Sequence, residues 1–150
     1  VGARLLYPDG RLQHIGVVLG VCGVAAHCFH QAPGHHPGYF GSAYGPRNYS
    51  AVTGACLMTR RAVFEALGGF NERLAIDFND IDFCLRVRRA GYRIVYTPYA
   101  ELYHLESGTI SDRTWDPAET QYMRDTWADV IARDPYYNPN LTREYPDYRL

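Results

Sequence analysis

The chain has 150 residues, 47% hydrophobic and 21% charged, with a formal net charge of -1. That length and balance suit one globular domain able to bury its own core. A near-neutral chain has no general reason to bind nucleic acid, and no apolar run is long enough to cross a bilayer.

Residues 3–7 are predicted as a strand, Pro8-Asp9-Gly10 as a tight turn, and residues 12–19 as a returning strand. A chain that opens in mid-strand is expected to be a piece of something longer. Residues 20–49 are rich in Gly, His, Pro and Tyr and predict a long irregular loop. Residues 51–59, AVTGACLMT, predict a short buried strand, and Gly54 within it marks a bulge or a close approach of a ligand to the backbone. A helix is predicted over 60–67, ended by Gly68-Gly69, and a connecting loop over 70–79. The next helix is predicted within 78–91, with Asn79 as its N-cap, Ile81, Cys84, Leu85 and Arg88 on one face and Gly91 just past its end. Residues 93–97 form a strand closed by Pro98, 99–104 are extended, and 105–115 form a polar loop. Asp116-Pro117-Ala118-Glu119 begins a third helix, with Asp as cap, Pro at N1 and Glu at N3. Asp134-Pro135 ends it. The expected organisation is one unit over 1–134 and an extended Tyr- and Pro-rich tail over 135–150.

Four cysteines, Cys22, Cys28, Cys56 and Cys84, permit disulfides, but a chain of this length does not need them. Cys56 and Cys84 read as small core residues, and a reducing compartment is expected. Cys22, His27, Cys28, His30, His35 and His36 lie close in sequence and could be zinc ligands, although their spacing matches no standard site.

Asp80 and Asp82 stand at the mouth of the second predicted helix. Two readings are open. In the first they only start the helix: Asn79 is an N-cap, Asp82 takes the capping-box position, and both acids favour the helix dipole. In the second, one of them takes a proton from a substrate, as a carboxylate on a rigid mount can.

Three stretches, TGACLMTRRAVFEALGGFNERL, FNDIDFCLRVRRAGYRIVYTP and AELYHLES, together resemble the C-terminal half of family 2 glycosyltransferases. The resemblance runs over about residues 1–140. It implies an α/β fold, the C-terminal half of a GT-A domain, with a mixed sheet and about three helices. It also implies an inverting transfer from a nucleotide-sugar donor to a glycan or lipid-linked acceptor, with Mn²⁺ or Mg²⁺. Carried onto this chain, Asp80 matches the family's general base, flanked by Asn79 and Asp82 near the substrate. Many members carry Glu where this chain has Asn79. A neutral Asn removes one like charge beside Asp80 but leaves the carboxylate that the role needs. Thr53, Gly54 and Ala55 resemble the segment under the donor sugar. His104 resembles a histidine that helps hold the metal, and Glu106 follows where the metal's waters or the acceptor would be.

Gln121-Tyr122-Met123-Arg124-Asp125 nearly matches the Q-x-x-R-W of processive members, but Asp125 stands in place of the Trp. Single-sugar transfer to a bacterial surface polysaccharide is the expected activity. A cytoplasmic location follows, at or near the inner face of the membrane. The donor-binding half is expected before Val1, so the isolated chain is expected to be inactive. Strands 3–7 and 51–59 would then be exposed edges, and a homodimer is expected to cover them. The alternative class is a non-catalytic carbohydrate-binding or interaction module built on the tyrosines and the long loop.

Overall fold

A computed structural model of the chain describes residues 1–105 and 115–150. Among these, a four-stranded mixed sheet runs in the order β2-β1-β6-β5. Its strands are β1 (Gly2–Leu6), β2 (Leu12–His14), β5 (Arg47–Asn48) and β6 (Val95–Tyr103). β1 pairs antiparallel with β2 and parallel with β6, and β5 runs antiparallel to β6. A separate antiparallel hairpin joins β3 (Val17–Leu19) to β4 (Ala25–His27). The helices are α1 (Arg61–Ala66), α2 (Asn79–Arg89), α3 (Pro117–Thr126) and α4 (Ala128–Ala132). The α/β class and mixed sheet expected from sequence are present.

The expected strand over 12–19 is two strands in two sheets. Gly16 breaks it, at a φ of +126° that only glycine adopts with ease, and the Tyr49 ring occupies the space a Cβ would need. β3 then lies between two cores. Val17 and Leu19 face α2 and α3, packing with Phe83, Leu85, Met123 and Trp127, while Val18 faces the opposite way, toward Leu12, Tyr96, Tyr137 and Tyr148. The period-2 alternation of a strand places neighbouring residues on opposite faces in this way.

The loop over 20–49 contains β4 and β5, so its irregular reading is corrected over those residues. The predicted strand over 51–59 is not a strand. Its ladder pairings with the strands are the single bridges Val17 to Ala51 and Gly2 to Leu57, and Gly54–Cys56 forms a 3-10 turn. Thr53 nucleates that turn, because its hydroxyl accepts from the Ala55 N–H at 3.3 Å. Cys56 is accordingly half-buried, not a core residue, whereas Cys84 is buried. Among the described residues all four cysteines are free.

Pro98 does not end its strand. β6 runs through it, and the register against β1 jumps from Ala3–Thr97 to Arg4–Glu101, so residues 98–100 bulge out of the ladder. A bulge is where a sheet tolerates a residue without an N–H. β1 is therefore interior, covered by β2 and β6. The two strands expected to be open edges are respectively an inner strand and a turn, so the edge argument for dimerisation does not hold. The actual edges, β2 and β5, are three and two residues long.

The third predicted helix is two, α3 and α4, separated at Trp127, whose φ of -122° leaves the helical region. Its start is as read. The Asp116 carboxylate accepts from the N–H groups of Ala118 and Glu119, each at 2.9 Å. Glu119, however, does not return to the cap. It accepts from the N–H groups of Ile76 and Asp77, and the Asp116 N–H is instead met by Asp77. The tail folds back on its own chain, burying Tyr137, Leu141 and Tyr148. Tyr148 stacks on Phe29 with ring centroids 5.2 Å apart. Asp134 anchors its root: the carboxylate accepts from the Leu19 N–H at 2.6 Å, the Ser50 hydroxyl at 2.7 Å and the Tyr136 N–H at 2.8 Å.

Candidate active site

The start of α2 is set by Phe78, not by Asn79. Phe78 occupies the N-cap position in the left-handed region, at φ +59°, and Asn79 is already helical. A bulky residue rarely sits there; here its ring is buried and stacks on Trp115 at 4.5 Å. Asp82 does not act as a capping-box residue. It lies one turn in, 1% exposed, and both of its oxygens are engaged: Oδ1 accepts from the Trp127 indole at 2.9 Å and Oδ2 from Arg86 Nε at 2.8 Å. Arg86 in turn donates to the carbonyls of Leu67 and Gly69, which ties the end of α1 to α2.

Asp80 differs in every respect. It is half-buried, in the first turn of α2, and its Oδ2 accepts from the Gly54 N–H at 2.6 Å while Oδ1 accepts from the Ile81 N–H at 2.8 Å. What approaches the Gly54 backbone in the structure is Asp80, a side chain of this chain and not the ligand expected from sequence. A Cβ at Gly54 would come within 3.2 Å of the Asp80 Cβ, so a side chain here would push the carboxylate away. The 3-10 turn and the helix start thus hold one acid between them, with oxygen lone pairs remaining beyond those two hydrogen bonds.

Next to that turn is a cleft of about 490 Å³, whose lining includes Thr53, Ala55, Gln13, His27, His30 and His104. Asp80 does not line the cleft; its hydrogen-bond partner Gly54 lies between the lining residues Thr53 and Ala55. His104 continues the β6 ladder through its N–H to the Leu6 carbonyl at 2.9 Å. Its Nδ1 donates to Gln13 Oε1 at 2.8 Å, which leaves the lone pair of the neutral ring on Nε2. Behind Thr53 lies His14, wholly buried, whose Nε2 accepts from the Thr53 N–H at 3.4 Å. Burial, and second the neighbouring His27, hold its pKa well below the ordinary 6.5. Sequence reasoning does not single out Gln13 and His14, isolated polar residues on the short strand β2, or Tyr7 and Trp115, lone aromatics outside the strands. Glu106, assigned from sequence to the substrate, lies outside the described residues.

A lone imidazole does not make a metal centre. Among the described residues no three His, Cys, Asp or Glu side chains converge to hold a metal ion. His104 fits as a single donor, and the remaining ligands of an octahedral ion would have to come from elsewhere. The zinc idea is corrected on the same ground. Cys28 is buried against the Tyr148 hydroxyl at 3.3 Å, and burial pushes its thiol up to about 12, far from the thiolate that zinc requires.

A family model described as glycosyltransferase like family 2 matches residues 43–128, which include α2, Gly54 and β6. The chain belongs to that family. The mixed sheet and the four helices among the described residues are consistent with a portion of a GT-A domain. This family 2 chain is 50% identical over 157 residues to the uncharacterized protein y4gI of Sinorhizobium fredii, a match covering 100% of the chain and 17% of that protein. It is 41% identical over 159 residues to the O-antigen biosynthesis protein RfbC of Myxococcus xanthus, covering 100% of the chain and 12% of RfbC. A third match, 42% identical over 53 residues, is to the N-acetylglucosaminyl-diphospho-decaprenol L-rhamnosyltransferase of Mycobacterium tuberculosis, covering 35% of the chain and 17% of that enzyme. The chain therefore spans a minor part of the length of these relatives. No solved structure matches it. No helix among the described residues is long and apolar enough to cross a membrane.

Proposed function

We propose that this chain is the acceptor-side portion of an inverting, metal-dependent glycosyltransferase in which Asp80 is the general base. The enzyme would move a sugar from a nucleotide-sugar donor to a glycan or lipid-linked acceptor during polysaccharide synthesis, on the cytoplasmic side of the membrane. The observation that carries the reading is the clamping of the Asp80 carboxylate between the start of α2 and the Gly54 N–H, beside an open cleft.

The chemistry follows from that geometry. A sugar hydroxyl is a weak nucleophile. A carboxylate within hydrogen-bond reach accepts its proton as the new carbon–oxygen bond forms, while the bond from the anomeric carbon to the donor phosphate breaks. Both groups that hold Asp80 are backbone N–H donors, so the acid keeps its place without a side-chain partner that could take the proton instead. One displacement inverts the anomeric centre. A bound Mn²⁺ or Mg²⁺ would offset the charge of the departing diphosphate, with His104 as its contact from this side. The names of the relatives, one in O-antigen biosynthesis and one a rhamnosyltransferase, support the substrate class. Their greater length supports placing the donor-binding elements outside these 150 residues, and the isolated chain is then inactive.

The anomeric configuration of the product, read by proton NMR, tests the single-displacement reading in the active protein that carries this segment. An inverted product is expected. Retention would require a second carboxylate acting as nucleophile and would contradict it.

A further inference from the structure

The helix start that carries Asp80 is held from outside α2. Phe78, two residues before Asp80, stands in the left-handed region and makes no side-chain hydrogen bond to the helix it precedes. A bulky residue keeps such a backbone only where its surroundings impose it. The loop leading into it supplies little of that constraint, since Ala75 and Ile76 are exposed and Asp77 is half-buried.

The constraint comes from the entry of α3. Glu119 is buried and turns both carboxylate oxygens toward the loop backbone: Oε1 accepts from the Ile76 N–H at 3.1 Å and Oε2 from the Asp77 N–H at 2.5 Å. Asp77 returns the contact, its Oδ2 accepting from the Asp116 N–H at 2.8 Å. A Glu at N3 ordinarily bonds the N–H of its own cap. Here Asp77 takes that N–H, and Glu119 serves the residues before α2 instead. The two acids have exchanged partners, so each helix entry is held by a carboxylate of the other. The Phe78 ring completes the junction, lying 19° from parallel to Trp115. Hydrogen bonds from backbone N–H to a carboxylate are among the stronger ones a protein makes.

From Phe78 the helix continues directly to the acid. The Asp82 N–H donates to the Phe78 carbonyl at 2.8 Å, and Asp80 lies inside that first turn, its Oδ2 on the Gly54 N–H at 2.6 Å. A shift of Phe78 is therefore carried to the Asp80 carboxylate. Misplacing a reacting group by about 1 Å can cost roughly a hundredfold in rate.

We propose that Glu119 is a positioning residue for Asp80: by holding the Ile76–Asp77 backbone it sets the left-handed Phe78 from which α2 begins. Its effect on turnover rests on the reading of Asp80 as the base. Its effect on the placement of Asp80 does not.

The Gly54 amide signal in proton–nitrogen NMR of the chain reports that placement, because its N–H donates to Asp80 and does not touch Glu119. Asp80→Asn, a weaker acceptor, calibrates the direction in which the signal moves when the bond weakens. Glu119→Gln should move it the same way. Ala118→Gln, at an exposed neighbour on the same turn, should leave it fixed. Asp77→Ala removes the return bond while keeping the Glu119 carboxylate, and should act like Glu119→Gln if that variant does not fold. A Gly54 signal unmoved by the Glu119 or the Asp77 variant overturns the proposal.

Turnover of the active protein supplies the second readout. Glu119→Gln should lower kcat roughly ten- to a hundredfold with KM little changed. Made on top of Asp80→Asn, it should lower kcat by less than about twofold, since the group it positions is already disabled. An equal loss in both backgrounds would make Glu119 a general support of the fold and overturn the proposal. Near wild-type turnover by Asp80→Asn would instead defeat the base reading, and the Gly54 signal would still decide the placement.

Discussion

The Trp127 indole donates to Asp82 Oδ1 at 2.9 Å, and both residues are 1% exposed. This bond joins α2 to the point where α3 gives way to α4, so it fixes the element carrying Asp80 against the rest of the core. The opposite oxygen of Asp82 is held by Arg86, and the Arg89 guanidinium lies 3.9 Å from the Trp127 ring centroid. Trp127→Phe removes the donor, leaves a buried acceptor short of a partner and opens a small cavity. The expected loss is about 2–4 kcal/mol, measured by urea unfolding. A loss below about 0.5 kcal/mol would show that the bond does not hold the helix pair.

Gly16 should be equally intolerant. A Cβ there would lie 2.3 Å from the Tyr49 ring, on a backbone at φ +126°. Gly16→Ala is expected to cost more than about 2 kcal/mol through overpacking and backbone strain together. Thermal melting that matches the wild type would mean that β2 and β3 are not parted by this contact.

These two sites show what the sequence made legible. The helix start at Pro117 followed from local chemistry, in which a capping Asp and a proline act within a few residues, whereas the cap read at Asn79 falls on Phe78, held in place by its burial and its stacking on Trp115. The break at Gly16 did not follow from local chemistry, because its cause is Tyr49, more than thirty positions away. The same holds for residues 51–59: β propensity suggests a strand, but no neighbouring strand accepts it along its length, and the hydrogen bond that the Gly54 N–H donates to the Asp80 carboxylate helps hold it as a turn. Asp80 was legible because a family pattern marks it. Gln13 was not, since what singles it out is the pair of imidazoles that come to it from two other strands.

His14 gives the fold a pH dependence of known sign. Its folded pKa lies well below 6.5 because the ring is buried, with His27 adding to the shift. Below about pH 6.5 the unfolded chain therefore binds the extra proton, and stability falls as pH falls. His14→Gln keeps an acceptor for the Thr53 N–H but cannot titrate. The stability advantage of the wild type over this variant should be full near pH 7.5 and shrink toward pH 5, by up to roughly 1.4 kcal/mol per pH unit. A constant difference across that range would remove His14 as the source.

His104 is expected to influence the metal requirement of the active protein. His104→Ala should raise the Mn²⁺ or Mg²⁺ concentration needed for half-maximal activity, and Gln13→Leu should do so more weakly, through loss of the Nδ1 partner. An unchanged metal titration for His104→Ala would take this ring out of the metal's surroundings.

The most direct test of the account is turnover by Asp80→Asn in the active protein. Asn retains an oxygen to accept from the Gly54 N–H, so the turn and the start of α2 should persist, as far-UV circular dichroism would confirm. What it lacks is the capacity to take a proton from the acceptor hydroxyl. The account predicts a fall in kcat of roughly two to four orders of magnitude with the fold intact. A variant that keeps near wild-type turnover would contradict the assignment of Asp80 as the base.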